Sequence, residues 1–340
     1  MIDVSKRRIT FTAALMTVPL FLFVLLWGLF SWYPDSSDWP RWPQSGAPVA
    51  PDVSVTWLGT STLLISDGVT HLITDAYFSR ASRVAVMTQD LAPDKSRIDA
   101  MLRRYRIDQL DAVLVVHSHF DHVLDSPQVA MRTGAELVGS QSTANVGRGA
   151  GMAESAIRVV EPGEVLRYGE FEVVFVLSDH VPQSPWLDRL TGMNEVISEP
   201  LAPPAPVSAW KEGESYALVI RHPQGTMLIQ GSAGFVEGQL EGYQADVAFV
   251  SSVGLSRQSA GYVADYVSHT VKATGASKVV PVHWDDFFVP WQAEHTPALP
   301  RVMEDLDGSF ALLKQEVEAV GAEFLVVQPG QTIHLQPPPR

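Results

Sequence analysis

Residues 117–122 combine side chains that bind transition metals. They read His-Ser-His-Phe-Asp-His and follow the apolar run 112–116, which we predict to be a buried strand. Imidazole and carboxylate hold zinc in hydrolytic sites, where an open coordination position takes a water molecule. The metal lowers the pKa of that water towards ~7, so the motif predicts a hydrolytic metal centre.

The spacing suggests how these ligands divide. His117 and His119 alternate along the chain, so both can face one metal, while Asp121 and His122 lie on the following turn and can reach a second. Phe120 points elsewhere, and we expect it to pack. The chain contains no cysteine. Any metal must therefore be held by imidazole and carboxylate, which suits zinc and, less well, iron or manganese.

Two further histidines stand where the missing ligands belong. His180 lies just after a predicted strand at 171–177, and His283 directly follows another predicted strand at 278–282. Because α/β sheets place their sites at the carboxyl ends of strands, both are candidate ligands. The remaining histidines lack this context and are expected to be structural or solvated: His71, His222, His269, His295 and His334.

The elements that must position these residues predict a layered α/β fold. Hairpins are expected at 62–74, where Asp67-Gly68 is a strong turn signal, and at 216–230. Each hairpin is followed by short apolar strands that alternate with helices, the last helix being 299–320. This order favours a four-layer αββα sandwich over a doubly wound sheet. A chain of 340 residues, 46% hydrophobic, suffices for one large α/β domain or two small ones.

The N-terminus predicts a transmembrane signal-anchor. Residues 9–32 carry no charge and are long enough to span a bilayer, and three basic residues precede them at 6–8. Trp27 and Trp32 stand where interfacial aromatic residues are usual. A cleaved secretory signal and a buried helix are the alternatives for this segment.

The domain boundaries follow from the anchor. Residues 1–8 form a cytoplasmic basic flank, and the positive-inside rule places the rest of the chain outside. We therefore expect a single-pass protein of the inner (cytoplasmic) membrane whose catalytic domain is periplasmic or extracellular. Residues 33–52 hold five prolines and predict a Pro-rich linker. The hydrolase domain is expected at 53–340.

The charge of the domain excludes one class of partner. The chain has a net charge of −14, and residues 1–32 hold three of its 24 basic and one of its 38 acidic residues, which leaves −16 for the remainder. Such a domain repels nucleic acid at long range. We expect no nucleic-acid partner, a small-molecule or lipid-like substrate, and membrane contact through 9–32. The oligomeric state does not follow from the sequence.

Residues 181–214 predict a substrate rim. They lack periodicity, hold six prolines and follow His180 directly. Irregular segments of this length in a compact domain are usually functional. Trp186, Met193 and Trp210 supply apolar surface to this rim. The alternative is a loop that merely packs on the domain.

Over about residues 53–288, the chain resembles the metallo-β-lactamase-fold superfamily of metal-dependent hydrolases. Besides the histidine motif, Trp57-Leu58-Gly59-Thr60-Ser61-Thr62 and Leu72-Ile73-Thr74-Asp75 resemble its first hairpin and first acidic motif. The chain looks closest to the branch of ascorbate-6-phosphate lactonases and N-acyl-phosphatidylethanolamine phospholipase D. The resemblance implies that Asp75 orients the metal-binding loop. It also implies one zinc on His117, His119 and His180, and another on Asp121, His122 and His283.

One motif departs from the family pattern. Where the family has a glycine followed by an aspartate that bridges both metals, this chain has Gly231-Ser232. A hydroxyl is a poor zinc ligand unless it is ionised, so the second metal is expected to bind weakly or to be completed by an anionic group of the substrate. We therefore expect one or two zinc ions per chain. The acids that could replace the lost charge are Asp179, Asp285 and Asp286.

These observations predict a hydrolase in which a metal-bound hydroxide attacks an ester, lactone, amide or phosphodiester. Asp121 is expected to orient this nucleophile, and Ser232 to hydrogen-bond it or the substrate. The first alternative is a non-catalytic metal- or ligand-binding protein of the same fold, because the bridging acid is lost. The second is a β-lactamase, because one subclass of true metallo-β-lactamases resembles this chain in its Asp-His-His site and its serine.

Overall fold

The computed structural model describes residues 24–43, 53–293 and 295–335. Within these ranges, short runs of β-branched and aromatic residues form strands because they suit a pleated, buried surface. The first sheet comprises β1 (Val53–Trp57), β2 (Leu63–Ser66), β3 (His71–Thr74), β4 (Ala112–Leu114), β5 (Glu136–Gly139), β6 (Ile157–Val159) and β14 (Thr332–Leu335). The second sheet comprises β7 (Val165–Tyr168), β8 (Phe171–Ser178), β9 (Ser215–His222), β10 (Gly225–Gln230), β11 (Val247–Ser251), β12 (Lys278–Val282) and β13 (Glu323–Phe324).

The described strands of the two sheets repeat one pattern of pairing. Their spatial orders are β14-β1-β2-β3-β4-β5-β6 and β13-β12-β11-β10-β9-β8-β7. In the first sheet, the pairs from β14 to β3 are antiparallel and those from β3 to β6 are parallel. In the second, the pairs from β7 to β10 are antiparallel and those from β10 to β13 are parallel. Each sheet therefore has an edge at which the carboxyl ends of parallel strands meet, the usual place for a site.

Helices accompany both sheets. The described helical segments are α1 (24–30), α2 (Arg83–Thr88), α3 (Lys95–Tyr105), α4 (Phe120–Val123), α5 (Ser126–Thr133), α6 (Gln141–Gly149), α7 (Pro185–Thr191), α8 (Ala260–Val267) and α9 (Leu306–Ala319). α5 and α6 pack on the first sheet, α9 packs on the second, and α8 packs on α9. A π-helical stretch, Ser268–Lys272, extends α8. The predicted α/β fold of two sheets with helices is confirmed.

Helix α9 starts later than the sequence predicted. It begins at Leu306 instead of residue 299, and the carboxylate of Asp305 caps it by accepting the Gly308 N–H at 3.2 Å. The preceding residues make tertiary contacts instead: the N–H of Leu299 donates to the Trp284 carbonyl at 2.9 Å. The predicted boundary was wrong because these contacts and the cap override the helical periodicity.

The N-terminal predictions fall only partly within the described residues. Residues 1–23, which include the basic flank and most of the predicted anchor, lie outside them. Within the described ranges, no helix has the length and apolar character needed to cross a membrane. The transmembrane prediction for 9–32 therefore stays a prediction.

The described part of the predicted linker, 33–43, packs on the domain. The ring of Trp39 lies 5.3 Å from that of Trp284 and 4.5 Å from that of Phe310. The N–H of Trp42 donates to the Val326 carbonyl at 2.9 Å. Residues 44–52 lie outside the described ranges. α1 is thereby connected to the domain by a segment that is itself buried against it.

Candidate metal centre

Strand ends from both sheets supply the predicted site residues. The motif at 117–122 follows β4, and Asp75 follows β3, its parallel neighbour in the first sheet. His180 follows β8, Ser232 follows β10 and His283 follows β12, all in the second sheet. The site therefore lies where the two sheets present their carboxyl ends, as expected for an α/β fold.

The loop that carries the motif is held from both sides. The Val116 N–H donates to Asp75 Oδ1 at 2.8 Å. The Ser118 N–H donates to the carbonyl of Glu212, which belongs to the segment before β9, at 2.7 Å. Because one bond comes from the first sheet and the other from the second, the loop's position depends on the packing of the whole fold. Asp75 thus occupies the orienting position that the sequence predicted.

His117, His119 and His180 form one group of potential ligands, which we call the first triad. One ring nitrogen from each lies within 4.8 Å of the others. The three ring centroids are 4.9–5.0 Å apart. His180 Nδ1 lies 2.9 Å from the Val181 carbonyl. A proton on Nδ1 donates to that carbonyl, which fixes the tautomer and leaves Nε2 for a metal.

Asp121, His122 and His283 form the second triad, whose ligand atoms also lie within 4.8 Å of one another. Asp121 Oδ2 lies 3.3 Å from His283 Nε2. His122 Nδ1 lies 3.0 Å from Asp75 Oδ2, which leaves its Nε2 for a metal. The rings of His117 and His122 are 3.8 Å apart, so the two triads adjoin. The structure thus brings together the two ligand sets that the sequence proposed.

Several ring nitrogens of the triads have no partner. Within the part of the chain that the structure describes, both ring nitrogens of His117, Nε2 of His119 and Nδ1 of His283 are buried without a hydrogen bond. Buried polar atoms are nearly always paired, so several unpaired nitrogens within two adjoining triads indicate a ligand. A divalent cation bound by imidazole and carboxylate fits this donor set.

The protonation states suit metal binding. Burial and the neighbouring histidines lower the pKa of His117 and His119 well below the usual value. Their imidazoles are therefore neutral, the state that binds metal. Burial opposes ionisation of Asp121, but His122 and His283 outweigh it and hold its pKa below the usual range. His117 and His119 thus offer neutral imidazoles to the first triad, and Asp121 offers a carboxylate to the second.

A buried ion pair supports His283. The backbone of His283 is left-handed, with φ of 60°, and its N–H donates to the Thr60 carbonyl at 2.9 Å. The Thr60 N–H donates to Asp285 Oδ1 at 2.8 Å. Asp285 pairs with Arg80, and both side chains are fully buried. The strained backbone at a ligand is therefore held by a network that the sequence alone did not reveal.

None of the three acids considered as substitutes for the bridging carboxylate belongs to either triad in the described residues. Asp285 is bound to Arg80, and Asp286 lies 2.5 Å from the guanidinium of Arg83. Asp179 is exposed. The structure therefore does not support replacement of the lost charge by any of the three.

Ser232 lines the same cavity as His119, His180 and the three residues of the second triad. Its Oγ accepts the Val181 N–H at 3.0 Å, beside His180. The preceding glycine packs directly on the motif loop: a Cβ on Gly231 would lie 2.5 Å from the Val116 side chain and 3.1 Å from Asp75 Oδ2. Glycine is needed there because no side chain fits. Ser232 is thus held at the centre, where the family pattern has its aspartate.

The centre opens into a cavity of about 580 Å³. Trp186, on α7, and Trp210 line it, as predicted for the rim, although Trp210 is buried and its indole N–H donates to the Ala205 carbonyl at 3.3 Å. Met193 does not line this cavity, and its sulfur lies 3.5 Å from the Gln183 amide nitrogen. The assignment of Met193 to the rim is corrected accordingly.

Sequence reasoning missed several residues of the cavity wall. Phe30, Met87 and Val302 line it, although they lie far apart in the chain. Phe30 falls within the predicted anchor, where an aromatic residue at the end of an apolar segment was the one available signal. Met87 and Val302 had none, because their position depends on how α2 and the segment before α9 pack.

Two mixed sheets with helices, joined at a histidine and aspartate centre, define the class of layered α/β proteins with a metal site at the strand ends. A sequence profile of the Metallo-beta-lactamase superfamily matches residues 55–271, well over half of the chain. The chain belongs to this superfamily. The match includes all the predicted site residues before residue 271 and ends ahead of His283.

Individual relatives agree with this assignment. A UPF0173 metal-dependent hydrolase from Christiangramia forsetii is 29% identical over 93 residues, which are 27% of this chain and 34% of the relative. Another from Roseiflexus castenholzii is 31% identical over 94 residues, 27% of this chain and 33% of the relative. The matches span about a third to a half of the length of the curated relatives.

The solved structure of Igni18, a metallo hydrolase from Ignicoccus hospitalis, superposes with a TM-score of 0.50 at 14% identity. The superposition covers 84% of this chain and 99% of that chain. At this level of identity, the likeness shows a shared fold.

Proposed function

We propose that this protein is a membrane-anchored, zinc-dependent hydrolase of esters, lactones, amides or phosphodiesters. One observation carries the proposal: two triads of metal-binding side chains adjoin, several of their ring nitrogens are unpaired among the described residues, and five of the six side chains line an open cavity. A purely structural cluster of histidines would have its nitrogens paired with protein groups.

The donor set favours zinc, because imidazole with a carboxylate is typical of catalytic zinc sites. When bound, the metal supplies a hydroxide at neutral pH and polarises the substrate oxygen. The first triad would hold one ion and the second triad the other. The single carboxylate among the six ligands is consistent with one or two zinc ions per chain.

The chain's own residues then position the substrate. Asp121 is buried, ionised and 3.3 Å from His283, so it can orient a nucleophile while it binds metal. Because the Ser232 oxygen accepts the Val181 N–H, the hydroxyl proton of Ser232 stays available to a substrate oxygen. Asp75 holds His122 and the Val116 amide, and so fixes the ligands relative to each other.

The cavity and the N-terminus suggest the substrate class and location. Much of the cavity wall is apolar, including Trp186, Trp210 and Phe287, which favours an acylated or lipid-like group beside the scissile bond. The uncharged segment 9–32 with its basic flank supports a tether in the inner membrane, with the domain on the periplasmic or extracellular side.

One observation favours a second candidate function, a non-catalytic metal- or ligand-binding protein. Ser232 stands where the family pattern has its bridging aspartate, so Asp121 is the one anionic group among the six ligands of the two triads. This candidate binds metal at the first triad and turns over no substrate.

The test uses the zinc-loaded full chain in detergent with nitrocefin, a lactone panel, bis-p-nitrophenyl phosphate and a phospholipid. We expect turnover of at least one ester, lactone or phosphodiester, and loss of that turnover to background in His119→Ala and in Asp121→Ala. His295→Ala, which changes an exposed histidine outside the cavity, is the control and keeps the activity. Activity that survives both ligand substitutions contradicts the proposal. Zinc binding without any turnover supports the non-catalytic candidate.

A further inference from the structure

The mouth of the cavity carries an exposed apolar rim. Four apolar side chains line the cavity and are also strongly exposed: Phe30 (37%), Met87 (62%), Trp186 (64%) and Val302 (47%). They come from α1, α2, α7 and the segment before α9, and we call them the apolar rim. Large apolar side chains clustered on a surface usually mark a binding site, whereas scattered ones need no explanation.

The rim includes the end of α1, and α1 directly follows the N-terminal apolar run in the sequence. Phe30 ends α1, in which Val24, Leu25, Leu26 and Trp27 are also exposed, Trp27 at 67%. The sequence immediately before α1, residues 9–23, contains no charged residue. The chain therefore leads directly from its most apolar segment to the mouth of the cavity.

Specific contacts hold α1 at this place. The guanidinium of Arg83 lies 5.5 Å from the centre of the Phe30 ring. The Arg301 N–H donates to the Trp32 carbonyl at 2.9 Å, and the guanidinium of Arg301 lies 5.7 Å from the Trp32 ring. The Tyr33 hydroxyl donates to Asp286 at 3.4 Å. The segment that follows the apolar run is thus fixed beside the rim.

The side chains around the rim are less acidic than the rest of the domain, which suits contact with a lipid headgroup region. Arg83 and Arg257 line the cavity, although residues 33–340 are strongly acidic overall. Each pairs with a buried acid, Arg83 with Asp286 and Arg257 with Glu304, so the rim does not share the domain's excess negative charge. Arginine and tryptophan, with apolar stems and polar ends, are typical of membrane interfaces.

We propose that the apolar rim inserts into the lipid bilayer, so that the cavity opens at the boundary between headgroups and acyl chains. Interfacial apolar surfaces enter this boundary by roughly 5–10 Å. The consequence of insertion rests on the proposed function. The apolar part of a substrate would pass from the bilayer into the cavity without crossing water. The bilayer is the occupant because Phe30 joins α1 to the rim, and the uncharged run 9–23 directly precedes α1 in the sequence.

The absence of cysteine from the chain makes a direct test possible. Single variants Met87→Cys, Trp186→Cys and Val302→Cys of the full chain are labelled with an environment-sensitive fluorophore. They are placed, one chain per disc, in phosphatidylcholine nanodiscs that carry nitroxide lipids. Val69→Cys is the control, since Val69 is 86% exposed in the β2–β3 turn, at the opposite end of β3 from Asp75.

We expect blue-shifted emission and nitroxide quenching at the three rim positions, stronger with a shallow nitroxide than with a deep one, and neither effect at position 69. Rim labels that behave like the label at position 69 overturn the proposal. So does a dimer in detergent that shields the same three labels, because the rim would then be an interface between two copies.

Turnover provides the second arm. Val84→Glu places a charge beside the rim, on α2, at an exposed residue that does not line the cavity, and Val69→Glu is its matched control. We expect the ratio of rates on a bilayer-presented ester and on a soluble short-chain ester to fall roughly fivefold in Val84→Glu. In Val69→Glu the ratio should equal that of the unmodified protein. The same ratio in both variants contradicts the proposal. The fluorescence arm needs no turnover, so it can fail while the hydrolase proposal stands, or succeed while that proposal fails.

Discussion

The two triads of the centre are built from similar side chains but held in different ways. The first triad consists of three imidazoles, and burial keeps His117 and His119 neutral. The second triad contains a carboxylate, and its histidines depend on residues outside the centre: His122 on Asp75, and His283 on Thr60 and Asp285. The two triads therefore have similar ligands, but the second depends more than the first on hydrogen bonds from residues outside the centre.

The small number of anionic ligands also favours unequal metal affinities for the two triads. On the proposed function, two Zn²⁺ ions would face a single anionic ligand, because Asp121 is the one carboxylate in the two triads of the described residues. We therefore expect the first triad to bind its metal tightly and the second to bind more weakly.

The largest effect is expected from removing one ligand of each triad. His180→Ala should lose the tightly bound metal and fall to background turnover. His283→Ala should keep the first metal, lose the second, and retain activity reduced by roughly 10–100-fold. Metal content per chain by mass spectrometry, together with turnover, measures both, and thermal unfolding checks that each variant folds. Equal losses in the two variants would show that the triads are not independent.

A smaller effect, of opposite sign, is expected from restoring the missing charge. Ser232→Asp places a carboxylate in the cavity wall beside both triads and should raise the affinity for the second metal by roughly tenfold. Ser232→Asn has nearly the same size without the charge and should not raise it. Competition titration with a chelator gives both affinities. If the asparagine variant gains as much as the aspartate variant, charge is not what the second triad lacks.

The smallest expected effect is a difference between the pH values at which the two triads release their metals. Burial opposes protonation of His122, but Asp75 and Asp121 outweigh it and raise its pKa, whereas burial lowers that of His117 and His119. A proton competes with the metal for the imidazole. As the pH falls from about 8 to about 5, the histidine with the raised pKa protonates first.

The second triad should therefore release its metal at a higher pH than the first. Metal retained after equilibrium dialysis at a series of pH values should fall in two steps. A single step, or loss of the first-triad metal before the second, contradicts the expected order.

Much of the centre could be predicted from the sequence, because its ligands follow short apolar strands. The parallel part of each sheet brings such strand ends to one edge, so the motif at 117–122, His180 and His283 could be assigned without knowledge of their distances. Both hairpins had local turn signals and were also found.

The supports of the centre could not be predicted, because they join residues that are distant in the chain. Arg80 and Asp285 are separated by 205 residues and have no local pattern. The packing of α1 beside the cavity likewise depends on Arg83 and Arg301, which lie in two different elements. Met193 was misplaced for the same reason: composition identifies an apolar loop but not the direction of each side chain.

The pairing of β1 with β14 has a consequence for synthesis of the chain. Thr56 and Thr332 face each other in this pair, and 276 residues separate them. At a synthesis rate of roughly 5–20 residues per second, β1 therefore waits for roughly 15–55 s before its partner emerges. Until then one edge of β1 is unpaired, and an unpaired strand edge is prone to aggregate. The first sheet can be completed only late in translation. A chaperone should therefore need to cover this strand edge for longer than in a domain whose strands pair locally.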